Sequence, residues 1–313
     1  MTMQEATEIT ERVQYMPFGV SELDGNHLGI PTGSAVLLAG AQDAGTAAFT
    51  YTSLARLMQA RHRPSSVPDR LAERREPIPD HVTYLSVTKD REHIYTELEA
   101  VLSDVQFETL TENLTVVDFS QRFLELLPVP PTLFDERRPA EEGISDHTAA
   151  EGDDTVMAPE EDGDDAVDDP IEDESFGELL DDIGARLAEA RGDLLVVDSL
   201  SDLRRATNFG LGAGRDIAFL AGLREAVVNW ESVAYVKYDR RAGEARSDPS
   251  VQGLLHGALY FYSNDQGVET YRTMRVGSFG GALDTDRQMV FESVVGDSGF
   301  RAKATKKIGR LQF

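Results

Sequence analysis

The sequence predicts an α/β protein with a mostly parallel central sheet and antiparallel strands at its C-terminal edge. Three observations carry this expectation. Through most of the chain, short apolar runs suited to buried strands alternate with longer stretches of helical periodicity. From Ala258 onward, strand-like runs follow one another with turns between them. One acidic segment interrupts the alternation without ending it, so the chain reads as a single domain over residues 1–313 with an insertion near 135–175.

The elements follow in order. Residues 1–33 form a polar lead and a short ordered entry. Ser34 to Ala39 is a compact apolar strand, and Ala47 to Ala60 a helix with Phe49, Leu54, Leu57 and Met58 near helical spacing. The stretch from Arg61 to Pro79, rich in proline and arginine, is expected as a surface loop. Val82 to Val87 is the next strand. Asp90 caps a helix running to about Leu102, with Ile94, Leu98 and Val101 on one face. Leu114 to Val117 is a third strand, and Phe119 to Leu127 a short helix stopped by Pro128. Beyond the acidic segment come a helix over Phe176 to Ala190, a strand ending at Asp198, a helix over Ile217 to Val228 and a strand over Val233 to Val236. Strands over Ala258 to Tyr262, Glu269 to Val276 and Gln288 to Val294 complete the sheet.

Charge is unevenly placed. The formal net charge is −26, yet 19 acidic residues and no lysine or arginine lie between Pro139 and Ala185, and the rest of the chain holds 37 acidic against 30 basic residues. From Asp135 to Glu174, like-charge repulsion and a lack of core-forming residues predict disorder, or a docking tail for a basic partner. Only five of the 30 basic residues are lysine. Acidic bias with arginine preferred over lysine suggests a high-salt cytoplasm, which would screen the self-repulsion. The acidic segment would repel a bare phosphate backbone, which makes nucleic-acid binding an unfavoured expectation. No apolar run is long enough to cross a bilayer, and the N-terminus lacks the basic start and apolar middle of an export signal, so a cytoplasmic location is expected. Cysteine is absent, which excludes disulfides and thiolate chemistry. The six histidines, at 27, 62, 81, 93, 147 and 256, show no metal-ligand spacing, and no metal is expected.

Two stretches carry candidate chemistry. In GAQDAGTA, Gly40 and Gly45 stand at the spacing of a phosphate-binding loop between a strand and a helix. Such a loop normally ends in lysine and a hydroxyl residue. Here Thr46 and Ala47 take those places, and Asp43 inside the loop opposes an anion. Backbone amides could still cradle one, or the stretch is simply a tight strand-to-helix turn. In DLLVVDSLSDL, Asp198 closes a buried strand, where a ligand to magnesium-bound water would sit.

With those residues in order, the chain resembles the RecA-like ATPases of the KaiC, RadA and Rad55 group. FGVSELDGNHLGIPTGSAVLLAG resembles the group's entry block at Phe18, Gly19, Val20, Leu23, Asp24, Gly29, Ile30, Pro31, Gly33 and Ser34. VTYLSVTKDREHIYTEL resembles its second-strand block, Val196 to Ser199 its Walker B strand, and TMRVG, Thr273 to Gly277, its late block. The resemblance implies a RecA-like P-loop NTPase fold, with Gly40, Gly45, Thr46, Ala47, Asp198 and Arg275 at vestigial nucleotide-binding positions. The departures matter equally. Thr46 replaces the phosphate lysine and Ala47 the magnesium hydroxyl; Thr88 and Lys89 replace the paired glutamates; Thr273 replaces the lysine that would reach a neighbour's nucleotide. Each lost group is a contributor to phosphoryl transfer.

The sequence therefore points to a catalytically degenerate RecA/KaiC-like protein of haloarchaeal type, a pseudo-ATPase acting as a regulatory or scaffold subunit. No catalytic residue is assigned. No cofactor is expected, although ATP with magnesium stays open. The expected partner is a protein, such as an active KaiC/RadA-like relative or a signalling component, and a homo-oligomer is open. One alternative is a divergent ATP-binding protein with slow ATPase activity, using Lys89, Arg275 or a neighbouring subunit for charge. Another is a DNA-recombination accessory using Arg204 and Arg205 or the basic tail from Arg301 to Phe313. Otherwise Lys89 reads as a solvated lysine at a helix start, and Arg204 and Arg205 as ordinary surface chemistry beside Asp202. FGLGAG, Phe209 to Gly214, reads as a loop, and Tyr260 and Tyr262 as packing on an edge strand.

Overall fold

A computed structural model of the chain describes residues 14–26, 28–41, 43–127, 171–208, 214–239, 251, 253–266, 269–277, 279, 289–296 and 299–304. Its elements are β1 (Tyr15–Met16), α1 (Ser21–Gly25), β2 (Ile30–Pro31), β3 (Ser34–Gly40), α2 (Thr46–His62), α3 (Asp69–Ala72), β4 (Val82–Ser86), α4 (Arg91–Val101), α5 (Asp104–Thr111), β5 (Leu114–Asp118) and α6 (Ser120–Glu125). They continue with α7 (Ile171–Glu189), β6 (Leu194–Asp198), α8 (Leu200–Asn208), α9 (Arg215–Trp230), β7 (Val233–Asp239), β8 (Gly257–Gln266), β9 (Glu269–Val276), β10 (Met289–Gly296) and β11 (Gly299–Ala304).

Nine strands form one sheet in the order β11-β10-β9-β8-β3-β7-β6-β4-β5. Strands β5 to β8 of that order pair in parallel through β3, and β8, β9, β10 and β11 pair antiparallel. The α/β architecture is as the alternation predicts. β3 is buried along its whole length because it lies at the middle of the sheet with helices over both faces. One face packs Val36, Leu38, Tyr84, Val196 and Tyr235 against α2, α4 and α5. The other packs Leu37, Leu85, Val197 and Val236 against α6, α7, α8 and α9.

Local signals explain most helix starts. The Asp90 carboxylate accepts from the His93 amide and opens α4, as expected. Ser103 and Gln106 form a reciprocal capping box that opens α5, a helix the periodicity did not bring out. α2 begins at Gly45, whose φ of 91° lies in the left-handed region. A Cβ at Gly45 would also stand 3.3 Å from Val295 Cγ2.

Several expectations are corrected. The segment from Arg61 to Pro79 is not simply a surface loop: it includes α3, and Leu71 and Ile78 join the core. Helix α7 starts at Ile171, five residues before Phe176, so it takes in the last residues assigned to the acidic segment. The rest of that segment lies outside the described residues, as do Phe209 to Ala213 and His27. β8 is an interior strand between β3 and β9, so Tyr260 and Tyr262 are not on an edge; the edge is β11. The first four residues of the basic tail belong to β11, where the Ala302 side chain is buried.

The entry block is tied down through Asp24. Its Oδ1 accepts from the Phe18 amide at 2.7 Å, while Ser53 Oγ donates to the Phe18 carbonyl at 2.6 Å and meets Tyr235 Oη at 3.0 Å. Burial raises the Asp24 pKa to about 6, against the opposing Phe18 amide and the Arg74 guanidinium. A raised carboxyl pKa makes the folded state hold its proton where the unfolded state has lost it. Stability therefore falls as pH rises from the ordinary value of 3.8 through about 6. Asp24→Asn keeps an acceptor for Phe18 and removes the titration. Urea midpoints at pH 4.5 and 7.5 are expected to differ less in the variant, by about 2 kcal/mol of stability.

Candidate functional site

The loop between β3 and α2 starts from Gly40. A Cβ there would lie 2.5 Å from Thr46 Oγ1 and 2.8 Å from Phe261 Cβ, so the turn closes tightly on the next strand. Gly40, Gly45, Thr46 and Ala47 are thus brought together at one strand-to-helix junction. The Thr46 hydroxyl is buried and has no hydrogen-bond partner among the described residues. Ala47 offers only a methyl group, which packs against the core. From the antiparallel end of the sheet, Arg272 Nε donates to the Asp43 carbonyl at 2.7 Å. Val295 and Phe300 lie against Gly45. Phe300 is anchored by its amide on Thr52 Oγ1 at 2.8 Å and by edge-on contact with the Phe49 ring. The β10–β11 hairpin is therefore a cover on the start of α2.

Asp198, at the end of β6, faces the same side of the sheet as α2. Its Oδ2 accepts from Lys237 Nζ at 2.7 Å and from Tyr84 Oη, and Lys89 Nζ lies 4.0 Å away. Both members of the Asp198–Lys237 pair are almost fully buried. Lys237 reaches Asp198 because β7 lies between β3 and β6, with Lys237 level with Leu38 and facing the same way as Tyr235.

Lys89 is not a solvated lysine. Its ammonium donates to both Glu97 oxygens at 2.8 Å, and Ser86 Oγ holds its backbone. Glu97 also accepts from Tyr51 Oη on α2 and meets His93 Nε2 at 3.1 Å. Two lysines, two carboxylates and two phenols thus form one connected network. Burial opposes charge on Asp198, but Lys237 and Lys89 outweigh it and hold its pKa below the ordinary value. Glu97 is likewise held low, burial being overcome by Lys89 and Tyr51. Burial and the neighbouring Asp198 push the Tyr84 hydroxyl well up, so it stays a donor. Asp239, at the end of β7, goes the other way: burial raises it, against Lys237.

Arg275 stands apart. It projects from the face opposite α2, with its guanidinium 4.7 Å above the Tyr260 ring. It does not join Gly45 and Thr46 within the chain, and the guanidinium that does reach the loop is Arg272. Arg204 and Arg205 are more than surface chemistry, since their partners Asp216 and Asp202 are buried. Among the described residues no cluster of histidines and carboxylates could hold a metal ion. No described helix is long and apolar enough to cross a membrane.

Sequence reading missed Lys237, Glu97 and Arg272. The one signal for Lys237 was a scarce lysine directly after the apolar run VAYV.

No family profile matches the sequence, and no curated protein is detectably similar. Solved structures do match. One is a KaiC-like protein from the hyperthermophilic archaeon Pyrococcus horikoshii OT3, with a TM-score of 0.56 over 93% of this chain and 99% of that one. The fold is KaiC-like. Identity to that protein is 12%, so the likeness is one of backbone architecture. In a KaiC-like fold, the β3–α2 loop and the end of β6 are the places that the resemblance in the sequence assigns to phosphate and magnesium.

Breaking the buried pair tests its role. Lys237→Met leaves Asp198 with Lys89 at a distance and is expected to cost about 3 kcal/mol in urea unfolding. Adding Asp198→Asn should recover much of that loss, because a neutral amide no longer requires a buried cation.

Proposed function

We propose that this chain is a RecA/KaiC-like protein that has given up phosphoryl transfer and acts as a regulatory or scaffold subunit through contacts with other proteins. The observation that carries the reading is the Lys237 ammonium 2.7 Å from Asp198 Oδ2. Magnesium would need that carboxylate as an outer ligand and a nearby hydroxyl as an inner one. Asp198 instead has an ammonium on it, and Ala47 has no hydroxyl. The residues present do not fit a magnesium–nucleotide group. Thr46 brings no charge to the outer phosphates, and Lys89, at the place of an activating carboxylate, is engaged by Glu97. A base must accept a proton, and a charged ammonium cannot.

The protein-binding role rests on elimination of chemistry together with the retained fold, and fold alone names no partner. The haloarchaeal setting rests on the scarcity of lysine and the acidic excess.

A second reading, a divergent ATP-binding protein with slow ATPase activity, is favoured by one observation. Arg272 brings a guanidinium onto the Asp43 carbonyl of the loop that lacks its lysine, and the Thr46 hydroxyl of that loop has no partner among the described residues.

Titration with a non-hydrolysable ATP analogue and magnesium, in high salt, separates the two. The scaffold reading expects no saturation up to about 1 mM and no rise in melting temperature. Saturation at micromolar concentration, lost in Arg272→Ala, would establish the second reading instead. Affinity capture from the native host at native salt, followed by reconstitution and sizing of the captured complex, then tests the partner. A chain that stays alone in that experiment counts against a scaffold.

A further inference from the structure

A separate feature lies behind α2, away from the loop and the Asp198 network. A cleft of about 290 Å³ opens between the C-terminal half of α2, the turn at Ser66 to Pro68 and the start of α5. That is at the small end of ligand-sized sites. Val67 and Pro68 supply an apolar wall. The remaining lining is polar: Arg56, Gln59, Ser66, Ser103 and Gln106.

The unmet hydrogen-bonding capacity in this cleft is specific. Gln59 is only 6% exposed, and its carboxamide, which has no hydrogen-bond partner among the described residues, is not sealed from water. An amide that only water satisfies can exchange that water for a ligand group that reproduces its hydrogen bonds. Gln106 spends its Oε1 on the Ser103 amide and hydroxyl, which leaves its NH₂ as a donor lining the cleft. Ser66 Oγ donates to the Arg63 carbonyl and keeps its lone pairs as acceptors.

Arg56 is the charged member. It is half-buried, and its guanidinium donates a long hydrogen bond of 3.4 Å to Ser21 Oγ. No ion pair to Arg56 forms among the described residues, although other arginines of this region, Arg61 and Arg63, have carboxylate partners. Burial makes its charge costly; Asp24 offsets this from a distance and Arg301 adds to it. In a chain with a net charge of −26, a half-buried guanidinium without an ion pair among the described residues is out of keeping with its surroundings. A guanidinium fork matches the two oxygens of a carboxylate. Carboxamides on the same wall match an amide or hydroxyl next to it.

We propose that this cleft binds a small organic carboxylate that carries an adjacent amide, with the carboxylate on Arg56 and the amide between Gln59 and Gln106. The site is independent of the function proposed above, because it shares no residue with the loop or with Asp198.

Isothermal titration and saturation-transfer NMR on the full-length protein, in a chloride buffer free of carboxylates, test this with N-acetylglycine, acetate and inorganic phosphate as probes. N-acetylglycine is expected to bind saturably and more tightly than acetate or phosphate. Arg56→Gln should weaken it by about tenfold or more, and Gln59→Leu by roughly threefold. Both variants should keep the wild-type melting curve. Arg56→Lys, which keeps the charge and loses the fork, should fall between wild type and Arg56→Gln, and it carries the test if Arg56→Gln does not fold. Absence of saturation up to about 20 mM for every probe would overturn the proposal. So would preference for phosphate, or N-acetylglycine binding that Arg56→Lys and Gln59→Leu leave unchanged.

Discussion

The neutralisation of Asp198 by Lys237 is the constraint on which the rest of the site depends. A carboxylate at the end of a central parallel strand is removed from water on all sides, and such a charge persists only when paired and hydrogen-bonded. The chain meets this need from within. Only five lysines occur in the whole sequence, and two of them, Lys89 and Lys237, are directed at this one carboxylate. Around them the phenols of Tyr84 and Tyr51 and the carboxylate of Glu97 fill the remaining hydrogen-bonding capacity. The result is a polar interior with balanced charge, in which each group depends on its neighbours.

The loop before α2 is closed in a comparable way. Arg272 occupies the Asp43 carbonyl and the β10–β11 hairpin rests on Gly45. The parallel half of the sheet thus supplies the internal cation, and the antiparallel half supplies the cover. Both halves meet at β3, whose C-terminal glycine leaves room for Thr46 and Phe261 to approach.

Much of the architecture was legible because it follows from short-range pattern. The apolar run of β3, the Asp90 cap and the Gly40–Gly45 spacing are each contained in a few residues. So is Asp198 at the close of LLVVD. The site's actual chemistry was not legible in that way. Lys237 lies 39 residues beyond its partner, and a pattern search ends its strand at Val236 because a charge breaks the apolar run. Only strand order shows that β7 lies beside β6 and that Lys237 faces the α2 side. Arg272 was obscured for a similar reason. Alternation along β9 puts Arg272 and Arg275 on opposite faces, and the family pattern drew attention to Arg275, which faces away from the loop. Lys89 failed differently: a lysine beside a helix start is ordinarily solvated, and its inward turn depends on Glu97 being two turns further along α4.

The sheet also separates two parts of the chain. Residues 128 to 170 leave from α6 and return into α7, and both helices pack on the face away from α2. The anchors of the acidic excursion and the β3–α2 junction therefore stand on opposite sides of a close-packed partition of nine strands. β6 joins the two sides, since it carries Val197 toward one chamber and Asp198 toward the other.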